Sequence, residues 1–164
     1  MSILSKATGL GKGSLYNFFP GGKEEMMEAV LAEIDRWFIA RVFAPLERPD
    51  DPGQAITTMI ETVTTYFRSG GRVCLVGRLG LGSSGDPFSA GISGYFARWI
   101  SALARCLEAG HVPPSQARSL AEETVCSIQG AIVLARSLRE DAAFTRILRR
   151  HEAGLLHAIA RHGG

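Results

Sequence analysis

From residue 23 onward the apolar positions recur at intervals of three and four, the spacing that gathers side chains on one face of an α-helix. Met26, Met27, Val30, Leu31, Ile34, Trp37 and Phe38 form the first stripe. They predict a helix from about Lys23 to Val42 that stops before Pro45, because the residue preceding a proline is disfavoured in the helical conformation. The segment from Glu47 to Gly53 reads as a loop, with Asp51 placed to cap the next helix and Pro52 to open it. Ile56, Met59, Ile60, Val63 and Phe67 make a second stripe, ended by Gly70-Gly71.

The stretch from Val73 to Asp86 reads two ways, as a short glycine-loosened helix or as a strand. A long helix follows, with Ile92, Tyr95, Phe96, Trp99, Ile100, Leu103 and Leu107 on one side and Gly110 at its end. Pro113-Pro114 restarts the chain, and Leu120, Thr124, Val125, Ile128, Ile132, Ala135 and Leu138 continue a stripe from Ser115. A last helix carries Phe144, Ile147, Leu148, Leu155, Leu156 and Ile159 and frays at Gly163-Gly164. No internal repeat or low-complexity tail interrupts this pattern. The expected fold class is all-α.

Composition changes this picture little. The chain has 164 residues, 46% hydrophobic and 21% charged, which suits one globular domain, alone or with a small appendage. A net charge of +2 does not by itself demand nucleic acid, since a binding patch depends on local clustering. Cys74, Cys106 and Cys126 are far apart and lack metal-ligand spacing, so they read as small buried residues in a reducing compartment. The opening Met1-Ser2-Ile3-Leu4-Ser5-Lys6 has neither the basic nor the apolar region of a signal peptide, and no apolar run is long enough to span a bilayer. A soluble cytoplasmic protein with no membrane partner is expected.

Residues 3–19 carry the most specific signal. A short helix ends at Thr8, Gly9 supplies a left-handed turn, Leu10 plugs the corner, and a second short helix runs from about Lys12 to Phe18. That is the layout of a helix-turn-helix, whose second helix enters the major groove. Lys12, Ser14 and Asn17 are polar groups near the start of that helix, and Gly13 lets the backbone approach closely. Tyr16 offers a hydroxyl to a phosphate, and Lys23 a second phosphate contact.

The run Gly9-Leu10-Gly11-Lys12-Gly13-Ser14-Leu15-Tyr16-Asn17-Phe18-Phe19-Pro20, followed by Gly21-Gly22-Lys23-Glu24-Glu25, resembles the recognition helix of the TetR family and its exit into the next helix. The resemblance implies that Lys12, Gly13, Ser14 and Asn17 face bases, that Tyr16 and Lys23 grip phosphates, and that Leu15 and Phe19 hold the helix. Phe18 departs from the pattern, standing where the family usually has histidine or tyrosine. The extra glycine in Pro20-Gly21-Gly22-Lys23, with the Cys74-Leu75-Val76-Gly77 stretch, is similar to the subgroup with an LmrA/YxaF-like C-terminal domain. The family's first helix and most of its second precede this motif, so a DNA-binding domain without its N-terminal part is expected here. The implied division is a partial helix-turn-helix over residues 1–22 and an effector-binding and dimerisation domain over 23–164.

Competing motifs fit less well. Gly80-Leu81-Gly82-Ser83-Ser84-Gly85 matches the dinucleotide fingerprint, which requires a parallel sheet that the pattern does not supply, so an inter-helix loop is the better account. Gly11-Lys12-Gly13-Ser14 fails as a phosphate loop, because glycine follows the lysine. His111, His151, His157 and His162 lack paired acids, and no serine has a nucleophile-elbow context. Neither catalytic nor metal residues nor a cofactor are expected, and the chain is not read as an enzyme.

The resemblance places an effector cavity among the helices covering 23–43, 52–69, 88–109 and 115–140. Trp37, Phe67 and Trp99 supply apolar walls there, and Thr62, Tyr66, Tyr95 and Gln129 supply polar tips on otherwise apolar faces. A hydrophobic, neutral effector is expected. Ala117, Ala121, Ala131 and Ala135 give the penultimate helix a second, smooth face. The resemblance implies that residues 115–162 pair with a second copy as a four-helix bundle. The functional expectation is a repressor that, given a complete N-terminus, binds double-stranded operator DNA as a homodimer and is released by a hydrophobic small molecule. The alternative is a stand-alone small-molecule binding and dimerisation module that does not touch DNA.

Overall fold

The computed structural model describes residues 19–82 and 88–163, so Lys12, Gly13, Ser14, Tyr16 and Asn17 lie outside the described residues. The chain forms two compact units, residues 1–36 and 37–164, and each is described by itself.

In the first unit the described part is a turn at Pro20-Gly21 leading into helix α1, which spans Gly22–Phe38. Gly22 takes a φ of 74°, a left-handed conformation open to glycine at little cost. The Gly21 N–H donates to the Glu25 carboxylate at 2.7 Å, satisfying a donor that the helix start leaves free. Glu24 and Glu25 also oppose the positive end of the helix dipole. Met26 is buried, and Lys23 is exposed in the first turn.

The second unit starts with the last two residues of α1, and its helical path does not stop before Pro45. Ile39–Phe43 form a π-helical turn, and helix α2 spans Ala44–Glu47. Pro45 sits in the first turn of α2, where its missing N–H breaks no helical bond. The wider π turn shifts the buried face, so Phe38, Val42, Phe43 and Leu46 all enter the core.

Helix α3 spans Pro52–Tyr66 and begins as expected, with the Asp51 side chain accepting from the Gln54 N–H at 3.1 Å. Its predicted stripe, Ile56, Met59, Ile60, Val63 and then Phe67, is buried throughout. The chain then reverses through Arg68, Ser69 and Gly70, all with positive φ. The Ser69 N–H donates to Thr64 O and the Arg72 N–H to Phe67 O, closing the turn. Within the ambiguous stretch, Leu75–Gly80 form helix α4, while residues 83–86 lie outside the described residues, and no strand occurs among those described.

Helices α5, α6 and α7 span Ser89–Ala109, Pro114–Leu138 and Asp141–His162. Helix α6 packs against both α5 and α7, while α3 packs on α7 and α5. Trp99, Leu103, Leu107, Ile128, Phe144 and Leu148 are fully buried between them. No described helix is long and apolar enough to cross a membrane.

Two expectations for α6 need correction. Ala117, Ala121, Ala131 and Ala135 are buried within this chain, at no more than 1% exposure, so they serve its own helix packing and present no smooth outer face. Leu138, expected in the core, is 62% exposed, and Val133 and Leu134 are exposed beside it.

Candidate ligand-binding site

Helix α4, the first half of α5 and the second half of α6 line a partly open cavity of about 1000 Å³. Leu79 from α4, Ile92 and Phe96 from α5, and Ile132 from α6 make most of its wall apolar. Glycine keeps the space open. A Cβ built on Gly130 meets nothing within 4 Å, although glycine in a helix interior costs about 1 kcal/mol relative to alanine. Gly77 plays a closer part: a Cβ there would stand 2.5 Å from Gln129 Oε1. The missing side chain lets the Gln129 carboxamide lie against α4.

Gln129 is a half-buried polar group of the wall. Its Nε2 is buried and has no hydrogen-bond partner among the described residues, a state that costs about 1–3 kcal/mol. Beside it, Cys74 caps α4, its Sγ accepting from the Gly77 N–H at 3.3 Å. Burial pushes the Cys74 thiol up, and the Gly77 N–H and the neighbouring Gln129 carboxamide pull it partly back. Two guanidinium groups, Arg78 and Arg136, also line the cavity and are exposed. Arg136 Nη1 donates to Gly71 O at 2.8 Å, tying α6 to the turn that follows α3.

Of the ligand-site residues read from the sequence, Gln129 alone lines this cavity. Trp37, Tyr66, Phe67, Tyr95 and Trp99 instead contact one another around Phe38. The ring centroids of Phe38 lie 4.9 Å from Tyr66, 5.1 Å from Tyr95 and 5.3 Å from Trp99. Trp37 stacks on Tyr66 at 4.5 Å, and Tyr66 meets Phe67 at 4.9 Å. With Phe38 and Trp99 fully buried, this is a packed aromatic core. Thr62 is half-buried on α3 and does not reach the cavity. The Arg72 guanidinium lies 4.2 Å from the Tyr66 ring centre, and burial pushes the Tyr66 hydroxyl up while Arg72 pulls it down. The aromatic core and the cavity are neighbours, because Phe96 of the cavity wall packs edge-on against Tyr95 at 5.2 Å. Sequence reasoning missed the role of Phe96 and of the glycines at 77, 80, 82 and 130. Gly77 and Gly130, which stand inside helices with no turn to explain them, were the available signal.

The cysteines divide. Cys74 and Cys106 are buried as expected, but Cys126 is exposed and lines the cavity. Burial, reinforced by the Asp51 charge, pushes the Cys106 thiol up to about 12, so it stays protonated at neutral pH. A maleimide at pH 7 should therefore label one thiol, at Cys126, as read by peptide mass spectrometry. Labelling that reaches Cys74 or Cys106 first would contradict the packing described. No group of three or more His, Cys, Asp or Glu among the described residues is placed to hold a metal ion.

Residues 52–150, which include every described residue of the cavity wall, match the family model for the transcriptional regulator LmrA/YxaF-like C-terminal domain. The chain is 27% identical over 150 residues to an uncharacterized HTH-type transcriptional regulator of Mycobacterium tuberculosis, covering 85% of this chain and 75% of that one. It is 23% identical over 151 residues to the HTH-type transcriptional regulator LmrA of Bacillus subtilis, with 90% and 80% covered. A crystal structure of a TetR transcriptional regulator from Legionella pneumophila shares the fold, with a TM-score of 0.79 at 18% identity. That similarity covers 93% of this chain and 84% of the other.

Proposed function

The chain belongs to the TetR family of transcriptional regulators, with an LmrA/YxaF-like C-terminal domain, and from that premise we propose that it is a homodimeric repressor released from its operator by a small molecule held in the α4–α5–α6 cavity. The observation that carries the reading is the cavity itself. An apolar-walled hollow of about 1000 Å³ with one buried, unsatisfied donor is the form of a small-molecule site. This reading places the effector beyond Phe96, beside the aromatic core rather than within it.

On this proposal Lys12, Gly13, Ser14 and Asn17 read bases, and Tyr16 and Lys23 contact phosphates. Dimerisation through residues 115–162 uses the outer side of α6, where Leu134 and Leu138 are exposed, rather than its buried alanines. Ligand binding favours a conformation that fits the operator less well, so release follows from differential affinity for two states.

A pool of random DNA duplexes tests this. With a complete N-terminal DNA-binding domain, the protein should enrich two-fold symmetric sequences, as two recognition helices in one dimer require. A variant with Lys12→Ala and Asn17→Ala should lose that enrichment. Equal enrichment by both proteins would rule out the recognition helix as the reader, and enrichment by neither would favour the stand-alone binding module.

A further inference from the structure

The charged groups among the described lining residues are all cationic, set beside the hydroxyls of Ser89, Ser93 and Ser137. Arg78 and Arg136 bring guanidinium donors, and Gln129, whose buried Nε2 has no partner among the described residues, belongs to the same wall. No aspartate or glutamate occurs among the described lining residues. Arg136 spends one N–H on Gly71 O, which leaves the rest of its planar fork available, and the Arg78 side chain is exposed at the end of α4. The same cavity is lined by the apolar side chains of Leu79, Ile92, Phe96 and Ile132.

A ligand complementary to this arrangement has an acceptor-rich anionic head and an apolar body. We infer that the effector is an amphipathic carboxylate whose head is held by Arg78 and Arg136 while its body lies along the α5–α6 wall. This rests on the cavity being the effector site, and it replaces the neutral effector expected from the sequence. The aromatic residues that the sequence assigned to a neutral ligand form the packed core. The charged groups that matter come from α4 and the last turn of α6. Guanidinium groups suit the task because their N–H donors match a carboxylate's two oxygens, giving charge-assisted hydrogen bonds.

The test compares decanoate with decan-1-ol, which share an apolar chain and differ in the charged head, by calorimetric titration of the full chain. Decanoate should bind at least about tenfold more tightly than the alcohol, the scale of one charge-assisted hydrogen bond. Its advantage should shrink with added salt. Arg78→Gln, an exposed position whose replacement leaves the packing intact, should bring decanoate close to the alcohol without weakening the alcohol. Equal affinity of the two probes for the unaltered protein would overturn the carboxylate assignment while leaving the cavity as the ligand site. Binding of neither probe would overturn both. An acid preference untouched by both Arg78→Gln and the cavity-filling Gly130→Phe would place the acid elsewhere and likewise overturn the assignment.

Discussion

Gly70→Ala should lower the melting temperature by about 10 °C, taking roughly 2–4 °C for each kcal/mol lost in a chain of this size. Gly70 has a φ of 92°, a conformation that costs a residue with a Cβ about 1–3 kcal/mol. The new methyl would also stand 2.6 Å from the Ala135 Cβ and 3.1 Å from the Phe144 Cβ. Neither Cβ can rotate away, and both residues are fully buried, so α6 and α7 must move for the methyl to fit. Gly91→Ala is the matched control, because a Cβ there meets nothing within 4 Å and alanine favours a helix. Circular dichroism melts should show the first variant falling and the second holding or rising slightly. A Gly70→Ala protein that melts with the unaltered chain would mean that the turn after α3 is not clamped between α6 and α7.

Gly130→Phe should give effects of opposite sign on stability and on binding. Phenylalanine is the better helix former by a few tenths of a kcal/mol, and the space beyond Gly130 is open, so the folded protein should be as stable as before or more so. The same ring fills cavity volume that a ligand needs. Decanoate affinity should fall by about a hundredfold or more, equivalent to about 3 kcal/mol of lost binding. Parallel melting and titration experiments read both effects. Unchanged decanoate binding in a well-folded Gly130→Phe protein would remove the α4–α5–α6 cavity as the ligand site.

How far the sequence carried depended on whether a feature is periodic or relational. The stripes of α3, α5 and α7, the Asp51 cap and the Gly110 end were legible because each is written in neighbouring residues. The continuation through Pro45 was not, because a π turn alters the register without an identifying residue pattern. The alanines of α6 are ambiguous for a related reason: small residues suit close packing, and only the fold shows that this chain supplies the packed partner. The candidate site was hardest. Trp37, Phe67 and Trp99 are equally good as cavity walls or as core, and volume decides between them, which no single helix encodes. Gln129 stood out because an amide on an apolar face needs a partner, and it is the one residue of that set that the cavity includes.

If occupancy of the cavity controls DNA binding, fluorescence anisotropy on a duplex recovered from the random pool will read that control. With saturating decanoate, the unaltered protein should lose operator affinity by about 5–150-fold, the usual span of coupling between two sites. The Gly130→Phe protein should bind the same duplex equally well with and without decanoate. Identical operator affinity of the unaltered protein in the presence and absence of bound decanoate, or an equal loss in both proteins, would contradict the account.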